Sequence, residues 1–92
     1  MKINYNNKEY DLPVMTFALD EMETSVVYQM NGEVLVYTSI RKDINKIMSI
    51  TDDSNIEPLT VNRFGNINSI KAKLSNKNIG FRKAIEKWYR VY

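Results

Sequence analysis

The stretch Ser25-Val26-Val27-Tyr28-Gln29-Met30-Asn31-Gly32-Glu33-Val34-Leu35-Val36-Tyr37-Thr38 decides the fold, because it supports two incompatible readings. β-Branched and aromatic residues stand on both sides of an Asn-Gly pair, a strong signal for a hairpin. Alternatively, Met15, Leu19, Met22, Val26 and Met30 recur at helical spacing, with Asp20, Glu21 and Glu23 in the early turns, where the helix dipole favours negative charge. In that reading Thr16 or Asp11 caps the helix and Gly32 stops it. A second helical series runs from Val36 or Tyr37 through Ile40, Ile44, Ile47 and Met48. The helical reading is preferred, because 19–30 and 40–48 carry the helical period beyond where strands would end.

Working outward, Lys2–Tyr5 and Lys8–Leu12 alternate apolar and polar residues around Asn6-Asn7. Asn tolerates the left-handed conformation of tight turns, so a small β-hairpin is expected, closed by Pro13. Residues 51–58 form a polar connector, residues 59–66 are indistinct around Gly65, and Ser69–Leu74 is compatible with a short helix. After a turn at Asn76–Asn78, Phe81, Ile85, Trp88, Tyr89 and Tyr92 mark one face of a last helix. The expected fold is a single small domain over residues 1–92, α+β but mostly α. It comprises an N-terminal β-hairpin, an αα pair and a C-terminal amphipathic aromatic helix.

Composition narrows the function. Zero Cys excludes disulfides and thiol catalysis, and zero His removes the commonest general base and zinc ligand. Asp52, Asp53, Ser54 and Asn55 gather oxygen ligands but lack the alternating spacing, central Gly and terminal Glu of a calcium loop; a cap or solvated loop is expected. Glu21 and Glu23 would face different directions on a helix, and three isolated glycines make no phosphate-binding loop. No catalytic residue, metal or cofactor is therefore expected. No apolar run approaches the roughly 20 residues of a membrane helix. Met1–Tyr5 carries no hydrophobic signal segment, so a cytoplasmic location is expected.

Charge is uneven. Residues 1–60 hold ten acids against five bases, a balance of −5, whereas residues 61–92 hold eight bases against Glu86, a balance of +7. That asymmetry suits an anionic partner or contact between copies of the chain. On the proposed last helix Arg82, Lys83, Lys87 and Arg90 fall mainly away from the aromatic stripe, so a wet basic face is the plainer account and nucleic acid is not the expected partner. Phe81 and Ile85 are expected to dock on the core, leaving Trp88, Tyr89 and Tyr92 to project. With Phe81, Tyr28 and Tyr37, these aromatics are the candidate partner-binding residues. Five Met residues add adaptable apolar surface, although core filling is their commoner use.

Three segments together resemble a known family: Met1-Lys-Ile-Asn-Tyr-Asn-Asn-Lys-Glu-Tyr-Asp-Leu12, Phe17-Ala-Leu-Asp-Glu-Met-Glu23, and Tyr37-Thr-Ser-Ile-Arg-Lys-Asp-Ile-Asn-Lys-Ile-Met48. The family is the small tail assembly chaperones of long-tailed phages of Gram-positive bacteria, in particular the tape-measure chaperones of lactococcal-type siphophages. The resemblance covers about residues 1–50 and rests on pattern and size rather than a diagnostic motif. It implies a non-enzymatic protein that self-associates and shields the hydrophobic helical tape measure protein until the tail tube forms; the opposite charge balances of residues 1–60 and 61–92 favour head-to-tail stacking in an open assembly. It further implies action in the host cytoplasm during infection and absence from the mature virion; the alternative functions are a small nucleic-acid-binding or regulatory protein using the basic residues 61–92, and a structural tail or head-completion protein.

Overall fold

Asn6 and Asn7 both adopt positive φ, 51° and 62°, the pair of left-handed residues that a two-residue hairpin needs. They join β1 (Lys2–Tyr5) to β2 (Lys8–Asp11) in antiparallel register, Ile3 opposite Tyr10. The N-terminal hairpin thus forms where the two asparagines place it. The computed structural model of the protein describes residues 1–30 and 32–75.

The decisive stretch is also a hairpin. β3 (Thr24–Tyr28) and β4 (Glu33–Thr38) pair antiparallel with Val26 opposite Val36, and Gly32 occupies the turn at φ 84°. Two bonds close this turn: the amide of Gln29 donates to the Glu33 carbonyl and that of Gly32 to the Gln29 carbonyl. Val34, Val36 and Thr38 are buried while Leu35 and Tyr37 between them are half-buried, the period of two expected of a strand with one covered face. The expected αα pair does not form. Leu19 and Met22, which set the helical period, lie on exposed chain with only a 3₁₀ turn at Leu19–Glu21, and Gly32 caps no helix. Their spacing meets no surface that would receive an apolar helix face, so β-branched pairing prevails over it.

The second helical series holds from α1 (Arg41–Ile50) onward, with Ile44 and Ile47 fully buried. Beyond it, β5 (Ile56–Val61) and β6 (Ile67–Ser75) correct two further expectations. Ser69–Leu74 is strand, not short helix: buried Ile70, Ala72 and Leu74 alternate with exposed Lys71 and Lys73. Pro58 sits inside β5, tolerated because that strand lies at the sheet edge and its register shifts around Thr60.

The main sheet runs in the order β3-β4-β6-β5, each neighbour antiparallel. β4 and β5 are therefore parallel to each other with β6 between them, and α1 is the crossover that joins them. Val34, Val36, Ile56, Ile70, Ala72 and Leu74 make one sheet face, on which Ile44 and Ile47 pack. The architecture over the described residues is mostly β, with one α-helix, rather than mostly α. The C-terminal aromatic helix expected from residue 79 lies outside the described residues.

Tyr5 fastens the N-terminal hairpin to this core: its ring packs on the cluster and its hydroxyl donates to Asp53 Oδ1 at 3.0 Å. Burial first, then the hydrogen bond and charge of Asp53 and the nearby Tyr10, push the phenol from 10.0 up to about 12. The folded state then holds its proton over a range where the unfolded chain has lost it. This contribution to stability is complete below about pH 10 and is lost as pH rises to about 12. The melting temperature is expected to fall in that window, and to fall less in Tyr5→Phe; identical profiles would refute the assignment.

Candidate polypeptide-binding groove

Between the two hairpins the chain crosses from one edge of the main sheet to the other. At its start, Val14 forms a parallel bridge with Val61: the Val61 amide donates to the Pro13 carbonyl and the Met15 amide to that of Val61. At its end the Glu23 amide donates to Ser39 Oγ at 3.0 Å, and the Ser39 amide donates back to the Glu23 carbonyl. Pinned at both ends, residues 15–22 have little regular structure of their own and form one wall of a groove of about 520 Å³.

The opposite wall is the β5–β6 turn. Asn62 Oδ1 accepts from the amides of Phe64 and Asn66, and Gly65 takes a φ of 82° that a side chain would strain. This holds Phe64 outward, 72% exposed, with the Arg63 guanidinium 4.8 Å above its ring. Asn68 Nδ2 donates to the Met15 carbonyl at 2.8 Å, tying the two walls together. Ile44 and Ser39 form the floor where α1 begins, and the Arg41 guanidinium donates to the Ile67 carbonyl at the rim.

The lining is therefore apolar and soft: Met15, Phe17, Met22 and Phe64 around Ile44, with two guanidinium groups at the rim. Thioethers repack at little cost, so such a surface accepts apolar side chains of varied shape rather than one rigid ligand. Among the described residues of the lining no His, Cys, Lys or carboxylate stands beside the Thr16 and Ser39 hydroxyls to activate them. Among the described residues no three His, Cys, Asp or Glu side chains come together where they would hold a metal ion. Within Asp52–Asn55, Asp53–Asn55 form a 3₁₀ turn that Asp52 precedes, and Asp53 accepts from the Tyr5 hydroxyl.

Of the aromatics expected to bind a partner, Tyr28 and Tyr37 are the two among the described residues. Tyr28 is 66% exposed at the outer edge of the sheet, on the face that α1 covers. Tyr37 is half-buried on the opposite face, so the two do not share a surface. Phe81, Trp88, Tyr89 and Tyr92 lie outside the described residues, as do five of the eight bases counted in residues 61–92. Of the other three, Arg63 is in the groove, while Lys71 and Lys73 line the face away from α1, Lys73 paired with Glu33 at 3.2 Å. The expectations missed Phe17, Arg41, Arg63 and Phe64. Phe64 carries a local signal, an aromatic ring set among Asn, Arg and Gly where a turn must reach solvent. No protein-family model matches the chain, and no curated protein or solved structure matches it.

Proposed function

We propose that the protein is a non-enzymatic polypeptide-binding protein that takes apolar side chains of its partner into this groove. Its partner would be a phage tape measure protein, which it keeps soluble as a tail assembly chaperone. The observation carrying the first part is the groove itself, where Met15, Met22 and Phe64 are 42%, 37% and 72% exposed around a buried isoleucine. The second part rests on the resemblance of residues 1–50. Within that span the hairpin and α1 are present, whereas Phe17–Glu23 is not the acidic helix that the resemblance includes. Release into the host cytoplasm and absence from the virion belong to the same proposal.

Co-expression with the tape measure protein of the same phage is the test. The wild-type chain is expected to shift that protein from pellet to soluble fraction. Met22→Ser with Phe64→Ser should reduce the soluble yield several-fold without lowering the melting temperature, since both side chains are exposed already. Trp88→Ala with Tyr89→Ala measures any share carried by the C-terminal aromatics. A tape measure protein that stays in the pellet with the wild-type chain ends the proposal.

A further inference from the structure

Leu19 stands at the start of the 3₁₀ turn Leu19–Glu21, 88% exposed, with Asp20 and Glu21 beside it. The turn is firmly shaped: Glu21 Oε1 accepts from the Ala18 amide at 3.0 Å and the Glu21 amide donates to the Ala18 carbonyl. A fixed, projecting leucine between acidic neighbours is the chemical complement of an apolar groove with two guanidinium groups at its rim. Arg41 is held by the Ile67 carbonyl and Arg63 by the Phe64 ring, so both cations are positioned. Neither is in an ion pair among the described residues.

Leu19 cannot fill the groove of its own chain, because it belongs to the segment that forms one wall of it, with Met22 three residues on. Plug and socket therefore adjoin on one surface. Two copies related by a two-fold axis bring each plug to the other's socket, whereas an open head-to-tail chain needs them on separate faces. We propose that Leu19 of a second copy occupies the groove reciprocally, with Asp20 and Glu21 of that copy against Arg41 and Arg63. The inference rests on the groove being a polypeptide-binding surface. It adds that the empty groove is covered by the protein itself until a partner displaces the plug.

Sedimentation equilibrium of the full chain without any partner, from about 1 to 200 µM, tests it. A monomer–dimer equilibrium is expected. Leu19→Asp should raise its dissociation constant about a hundredfold or more, because each dimer loses two buried leucines, while the melting temperature read at a concentration where both proteins are monomeric stays unchanged. Arg63→Glu should weaken the dimer as well, and adding Asp20→Arg to Arg63→Glu should restore it. A strict monomer, an assembly larger than a dimer, or a dimer indifferent to both Leu19→Asp and Arg63→Glu would overturn the proposal. None of these outcomes depends on the tape measure protein, so the co-expression result stands or falls separately.

Discussion

Ile47→Ala is expected to lower the free energy of unfolding by about 2–5 kcal/mol, the range for truncating a buried aliphatic side chain. Ile47 is fully buried, and with Ile44 it carries α1 onto the face made by Val36, Ile70 and Ala72. The loss has two sources. The transferred methyl groups no longer leave water, and the vacated space is walled by β-strands that cannot close on it. Domains of this size have about 5–15 kcal/mol in total, so one substitution removes a large share. Urea titration is the measurement: the midpoint should fall with an unchanged slope. Leu19→Ala is the matched control, aliphatic in origin but exposed in the monomer, and at a concentration where the protein is monomeric it should stay within about 0.5 kcal/mol of wild type. A shift for Ile47→Ala no larger than that of Leu19→Ala would mean that α1 does not close the core.

This contrast between Ile47 and Leu19 also marks where the sequence is legible. Both stand at helical spacing in their segments, yet one is core and the other is bathed in solvent. Spacing reports only that apolar residues would share a helix face; a sheet must lie beneath that face for it to pay off. α1 has such a sheet, formed by strands up to some 30 residues away, and residues 15–30 have none. Where the controlling interaction is local, the reading succeeds: Asn6-Asn7 turn the first hairpin because their own backbone reaches positive φ. In residues 25–38 and 69–74 the period of two was also present, as Val34-Val36-Thr38 and Ile70-Ala72-Leu74, but short apolar runs satisfy both periods and pairing partners decide between them. The groove was illegible for the same reason. Its two walls, residues 15–22 and 62–68, are some 40 residues apart and meet only because Val14 pairs with Val61 and Asn68 reaches the Met15 carbonyl.

Thr38→Val should cost about 2–3 kcal/mol despite conserving shape and apolar burial, because it cuts a directed chain of hydrogen bonds. Thr24 Oγ1 donates to Asp43 Oδ2 at 2.6 Å, which commits its one hydroxyl proton. The 2.7 Å contact between the Thr24 and Thr38 hydroxyls must then run from Thr38 to Thr24. Thr38 Oγ1 in turn accepts from the Ile40 amide at 3.0 Å. Each group donates to the next, from the Ile40 amide through Thr38 and Thr24 to the accepting Asp43 carboxylate, and the chain links β4, β3 and the first turn of α1. Thr38 is fully buried, so valine leaves the Ile40 amide and the Thr24 oxygen without this partner in a site that water reaches poorly. Asp43→Ala removes the terminal acceptor and also a negative charge from the N-terminal turn of α1, a smaller loss of about 1 kcal/mol. If the chain acts as one unit, the double variant should lose clearly less than the two single losses together. Strict additivity in that cycle would show three independent bonds and would remove the argument that this chain fixes α1 to the β3–β4 hairpin.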